Sequence, residues 1–110
     1  MRQISSADAF SLFDKWSKNS LVGVNFGRSD AAVNFYLRGA VLEVSKSSLL
    51  LEVKESSMTI LHFDENVVFT ELTRDDVKRE FARLHPVNPQ FQSCVGAKFS
   101  NQDFCLIFEE

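Results

Sequence analysis

Few residues in this chain have the type and spacing that chemistry requires. His62 and His85 fall in different predicted elements, one in a strand and one at a helix end, and neither has a second His, a Cys or an acid at metal-ligand spacing. Cys94 and Cys105 form no Cys-x-x-Cys pair. Two thiols are too few for a disulfide scaffold, so they read as small apolar residues of a protein in a reducing, cytoplasmic setting. Acidic pairs at Asp64-Glu65, Asp75-Asp76 and Glu109-Glu110 could in principle divide general acid and base roles, but their contexts are a turn, a helix start and a chain end. Glycine is scarce and isolated, which excludes a phosphate-cradling loop, and no serine sits in a nucleophile elbow. The expectation is no catalytic residue, no metal and no cofactor.

Three residues remain as candidates for holding a ligand or partner. Tyr36 and Arg38 alternate with the apolar Val33, Phe35 and Leu37, so in a sheet with one wet face they point outward together. An exposed ring beside an arginine can stack on a base or fill a partner's pocket. A bend near Gly39 would instead turn both inward, and the sequence leaves the two placements open. His62 is the third candidate, as a polar group inside the curve of a sheet.

The elements that must position these residues follow from apolar periodicity. Ser5 and Asp8 have capping-box spacing ahead of Ala9, Phe10, Phe13 and Trp16, which predicts a short amphipathic helix. Strands follow over Leu21 to Phe26 and then from Val33 to Phe63, where three runs are separated by the polar turns Ser45-Lys46-Ser47-Ser48 and Glu55-Ser56-Ser57. These turns imply that Val44 faces Leu49, Leu42 faces Leu51, Leu51 faces Leu61 and Leu49 faces Phe63. Val24 is set against Val33, and Val22 against Phe35. The apolar set changes parity between Leu37 and Leu42, and Gly39 is where a bulge is expected. A fifth strand spans Val67 to Leu72, and a second helix begins at Thr73 with the stripe Val77, Phe81 and Leu84. The chain closes with a hairpin. A loop at Ser100-Asn101-Gln102-Asp103 sets Phe99 against Phe104 and Val95 against Phe108, leaving Cys94 and Cys105 on one face but too far apart to bridge.

The 110 residues, 45% hydrophobic with eleven phenylalanines, are enough for one packed domain over residues 1–110. A net charge of −3 with both signs interspersed gives no field to gather nucleic acid or anionic lipid, and no segment has the length of a membrane span.

The run Phe35-Tyr36-Leu37-Arg38-Gly39-Ala40-Val41, with a helix ahead and a strand, turn and strand behind, resembles the bent second strand of Sm-like small barrels. The resemblance covers less than a third of the chain and implies a small-barrel nucleic-acid binder. The uridine-binding residues and second glycine motif of that family have no counterparts here, so no residue role is carried over. Val44-Ser45 before an apolar strand resembles PilZ domains in the same limited way, without their paired arginines or nucleotide loop.

The fold expected is therefore α+β: a strongly curved antiparallel sheet of six or seven strands, a partial barrel or roll. An N-terminal helix and a second helix before the C-terminal hairpin pack it. The function expected first is a non-catalytic interaction module that binds a protein partner or itself, as a homodimer, through a sheet face or edge. Val41, Leu50, Met58, Ile60 and Ile107 motivate it as apolar residues left on second faces. The alternative is a small-ligand-binding domain or enzyme with a site inside the curve, using His62 and Tyr36. The Sm-like nucleic-acid reading comes third because the charge opposes it.

Overall fold

The computed structural model describes residues 2–17, 21–27, 34–54, 57–80 and 91–110. Ser5 accepts the Asp8 amide on its hydroxyl at 3.1 Å and starts helix α1 (Ser6–Trp16), whose buried residues are Ala9, Phe13 and Trp16. Helix α2 (Arg74–Glu80) begins with a reciprocal pair of bonds. The Asp76 amide donates to Thr73 Oγ1 at 3.1 Å, and the Thr73 amide donates to Asp76 Oδ2 at 2.9 Å. The predicted continuation of this helix through Phe81 and Leu84, with His85 and Pro86, lies outside the described residues.

The strands are β1 (Arg2–Ile4), β2 (Leu21–Gly27), β3 (Asn34–Val44), β4 (Ser48–Lys54), β5 (Ser57–His62), β6 (Val68–Leu72), β7 (Ser93–Lys98) and β8 (Phe104–Glu109). Among the described residues they form one antiparallel sheet in the order β1-β6-β7-β8-β2-β3-β4-β5. The eighth strand relative to the sequence reading includes β1, three residues paired to β6, too short to show a period of its own. The sheet is curved but not closed. Phe63, just after β5, reaches Phe69 of β6 and Phe99 after β7 with ring centroids 5.2 and 6.0 Å apart.

The concave face holds the main core. Val22, Val24, Val41, Leu49, Leu51, Leu61, Phe69, Val95, Ala97, Cys105 and Ile107 are buried there under Phe13 and Trp16 of α1. On the convex face of β6, β7 and β8, a second cluster of Leu72, Cys94, Leu106 and Phe108 packs with Val77 of α2 and with Phe91. Both faces of that half are therefore covered, whereas the convex side of β3, β4 and β5 leaves Leu42, Met58 and Ile60 exposed.

Turn geometry accounts for the registers that differ from the sequence reading. In the last hairpin, Phe99 N–H donates to Asp103 C=O and Gln102 N–H to Phe99 C=O, and Gln102 takes φ 74°. This is a three-residue turn with a left-handed third residue, one residue shorter than expected. Val95 consequently faces Ile107, not Phe108, and Ala97 faces Cys105. A one-residue slip exchanges the two faces. Cys105 enters the concave core and Cys94 the convex cluster, so the two free thiols lie on opposite faces, not on one.

The parity change in β3 occurs at Leu42, not Gly39. Val41 pairs with Leu51 and Glu43 with Leu50, leaving Leu42 as the extra residue of a bulge, 47% exposed. On β4 and β5, Leu49 pairs with Leu61 and Leu51 with Thr59, two residues from the expected register. Val24 pairs with Leu37 and Val22 with Gly39, so the connection after β2 is longer than the turn read from Gly27-Arg28-Ser29-Asp30. The even slips preserve which residues share a face.

Candidate functional site

Tyr36 and Arg38 stand on the convex side of β3, and both turn across β2 to Glu110, the residue after β8. The Tyr36 hydroxyl donates to Glu110 Oε1 at 2.6 Å, and the Arg38 guanidinium bridges Glu110 Oε2. The Glu110 side chain is 8% exposed and Arg38 is 55% exposed. The crossing needs a residue without a side chain on β2 beneath it. A Cβ on Gly23 would lie 2.7 Å from the Tyr36 hydroxyl and 2.9 Å from Glu110 Oε1. Burial raises the Tyr36 phenol to about 12, and the Glu110 carboxylate acts in the same direction. A phenol held that high releases no proton near neutrality, so this cluster ties β8 to β2 and β3 and is poorly suited to acid–base chemistry.

Next to it on β2 is Asn25, fully buried, whose amide nitrogen and oxygen have no hydrogen-bond partner among the described residues. Its neighbours in register are Tyr36 and Leu106. Gly27, two residues on, lies under the Phe104 ring, where a Cβ would come within 2.5 Å of Phe104 Cζ. The signal was present in the sequence: the convex positions of β2 are Gly23, Asn25 and Gly27, all small or polar within an otherwise apolar strand.

His62 is not part of this cluster. It lies two strands away, exposed, at the end of β5. There it lines a cleft of about 310 Å³ between β5 and the β7–β8 turn. Phe26 and Phe99 line the cleft with Leu61, and their rings are stacked at 5.9 Å. Asp64, Ser100 and Asp103 supply polar groups. Asp64 Oδ1 accepts the Asn66 amide at 2.8 Å, and Ser100 Oγ approaches Asp64 Oδ2 at 3.4 Å. The Asn101 side-chain amide donates to Asp103 Oδ2 at 3.0 Å. The structure thus brings Tyr36 and Arg38 together on Glu110, one of the acidic pair that the sequence places at a chain end, and leaves His62 elsewhere. Among the described residues no group of three His, Cys, Asp or Glu side chains converges to hold a metal ion.

The outer edge of β5, beyond which no strand lies among the described residues, adjoins the same cleft. Phe63 N–H donates to Ser47 C=O at 2.7 Å, and Ser45 N–H donates to Ser48 C=O at 3.0 Å. Antiparallel alternation then directs the backbone groups of Thr59 and Leu61 toward β4 and those of Met58, Ile60 and His62 away from it. The strand Ser-Met-Thr-Ile-Leu-His has no charged residue and no proline, the devices that blunt exposed edges. The opposite edge, β1, is three residues long, and its Arg2 bridges Glu71 at 3.1 Å. Met58 and Ile60 are 60% and 65% exposed; half-buried Leu50 lies across from Ile60, and the exposed acids Glu52 and Glu43 lie across from Met58 and Leu50. Two of the residues expected on that second face, Val41 and Ile107, are instead buried in the core.

Compared with protein-family models, with curated proteins and with solved structures, the chain matches none.

Proposed function

We propose that this protein is a non-catalytic interaction module that binds a protein partner, or itself, through the outer edge of β5 and the exposed Met58 and Ile60 on it. The observation that carries the reading is a six-residue edge strand without a charge or a proline, with Met58 and Ile60 exposed. Such an edge presents backbone donors and acceptors in a row, and an added strand satisfies them while covering the apolar side chains. Tyr36 and Arg38 lie two strands from this edge, where their hold on Glu110 ties β8 to β2 and β3. The small-ligand alternative is supported by the cleft at His62, although Tyr36 is not among the residues lining it. A reducing, cytoplasmic setting belongs to the same proposal, and two buried, unpaired thiols on opposite sheet faces are consistent with it.

The test is a photo-crosslinking phenylalanine placed in turn at position 58, on β5, and at exposed position 11, on α1, in the cells that make the protein. A discrete adduct from position 58 and none from position 11 is the expected result. Equal adducts from both positions, or none from either, would remove the case for β5. The adduct's mass separates a second copy from another protein.

A further inference from the structure

The cleft and the outer edge of β5 are adjacent, and together they select the chemistry of the partner. In a strand added to β5, residues opposite Met58 and Ile60 lie on the convex face, and residues opposite Thr59 and Leu61 lie on the concave face. Leu61 is buried on that face and lines the cleft together with Phe26 and Phe99. A side chain opposite Leu61 therefore enters a space bounded by aromatic rings and by Asp64. The contacts of Asp64 among the described residues are an amide and a hydroxyl, both neutral, and none of the described residues lining the cleft is a lysine or arginine.

We propose that β5 receives an extended peptide as an added strand, with a lysine or arginine of that peptide seated in the cleft against Asp64 and beside the Phe26 and Phe99 rings. The inference rests on β5 being the interaction surface. An aliphatic stem packs along the phenylalanine rings while the cationic head meets the carboxylate. A second copy fits less well. Two β5 strands paired antiparallel about Ile60 place Thr59 opposite Leu61, which brings no cation to Asp64.

The experiment is selection of a phage-displayed library of linear peptides on the wild-type protein, followed by affinity measurements on three variants. Ile60→Pro removes an edge N–H that the protein's own ladder does not use, so it blocks an added strand while circular dichroism checks the fold. Met58→Pro gives the same block if Ile60→Pro unfolds. Asp64→Asn keeps an acceptor for the Asn66 amide and removes the charge. The expected result is enrichment of peptides with one fixed lysine or arginine, whose binding is lost with the proline variants and falls about tenfold or more with Asp64→Asn. Peptides that need Ile60 but show no basic position, or that are indifferent to Asp64→Asn, would overturn the cation assignment and leave the β5 surface standing. A homodimer adduct from position 58 with no peptide enriched would give the edge to a second copy. No peptide and no adduct would end both readings.

Discussion

Asn25 offers the sharpest quantitative test of the convex face. It is fully buried, and neither amide atom finds a partner among the described residues. An unsatisfied buried donor or acceptor costs about 1–3 kcal/mol. Leucine has the same number of side-chain heavy atoms, so Asn25→Leu removes the polar penalty without opening a cavity and adds apolar surface against Leu106. The expected stabilisation is about 2 kcal/mol or more. With a urea m-value of about 2 kcal/mol/M for a chain of this size, the unfolding midpoint rises by about 1 M. Asn25→Asp should do the reverse, because a carboxyl with no donor resists ionisation when buried; its midpoint should fall at pH 7 and partly recover at pH 4. Urea melts monitored by Trp16 fluorescence decide the matter. A midpoint lower by about 0.5 M or more in Asn25→Leu would mean that the amide is hydrogen-bonded in solution, and the reasoning would fail.

Tyr36 is the single tyrosine of the chain, so absorbance at the phenolate band reports it alone. Its titration is expected near 12, against about 10 in the unfolded chain. Because the folded value is the higher one, stability is fully present below pH 10 and declines as pH rises from 10 to 12; Tyr36→Phe should lack that decline. A native midpoint near 10 contradicts the burial of Tyr36 and its bond to Glu110. Burial pushes the Cys105 thiol up to about 12 and the Cys94 thiol upward as well. A thiol reagent at pH 8 should therefore find no fast-reacting group in the native protein and two after unfolding; rapid native labelling would show that one of them is accessible. Phe13 is fully buried, with its ring near those of Phe10, Trp16, Phe63 and Phe69, so Phe13→Ala should cost about 3–5 kcal/mol. A loss under about 1 kcal/mol would mean that α1 does not pack the concave core as described.

Alternation made the strands visible in the sequence, because a half-buried strand must repeat every second residue. Turn length set the registers and was harder to see. Gln102 in a left-handed conformation carries no glycine to announce it, and the one-residue difference it makes moves Cys105 inward and Leu106 outward. The change of apolar parity implies a bulge and Gly39 attracts it, since the adjacent apolar pair Val41-Leu42 hides which of the two is extra. Thr73 and Asp75-Asp76 announced α2 correctly, and Ser5 announced α1. The pairing of Tyr36 and Arg38 with Glu110 depends on β8 lying beside β2, a long-range fact of strand order that no local pattern encodes. The exposed β5 edge was only partly legible. Met58 and Ile60 stood out as surplus, but which strand lacked a neighbour did not.

The strand order has a consequence for how the chain assembles. Strands β2 to β5 are sequential neighbours and can zip together as they are synthesised, but the other side of β2 waits for β8, the last of the eight described strands in chain order. Closing so long a loop is slow relative to hairpin formation, which places docking of β8 on β2 late in folding, on a timescale of about milliseconds to seconds. During that interval β2 offers the bonds from Val22 to Gly27 to any β8 within reach, including that of another molecule, and exchange reproduces the native β2–β8 pairing. Refolding at high concentration should therefore trap swapped dimers that dilution separates only slowly. That species is distinguishable from an assembly on the β5 edge, because Ile60→Pro leaves it intact.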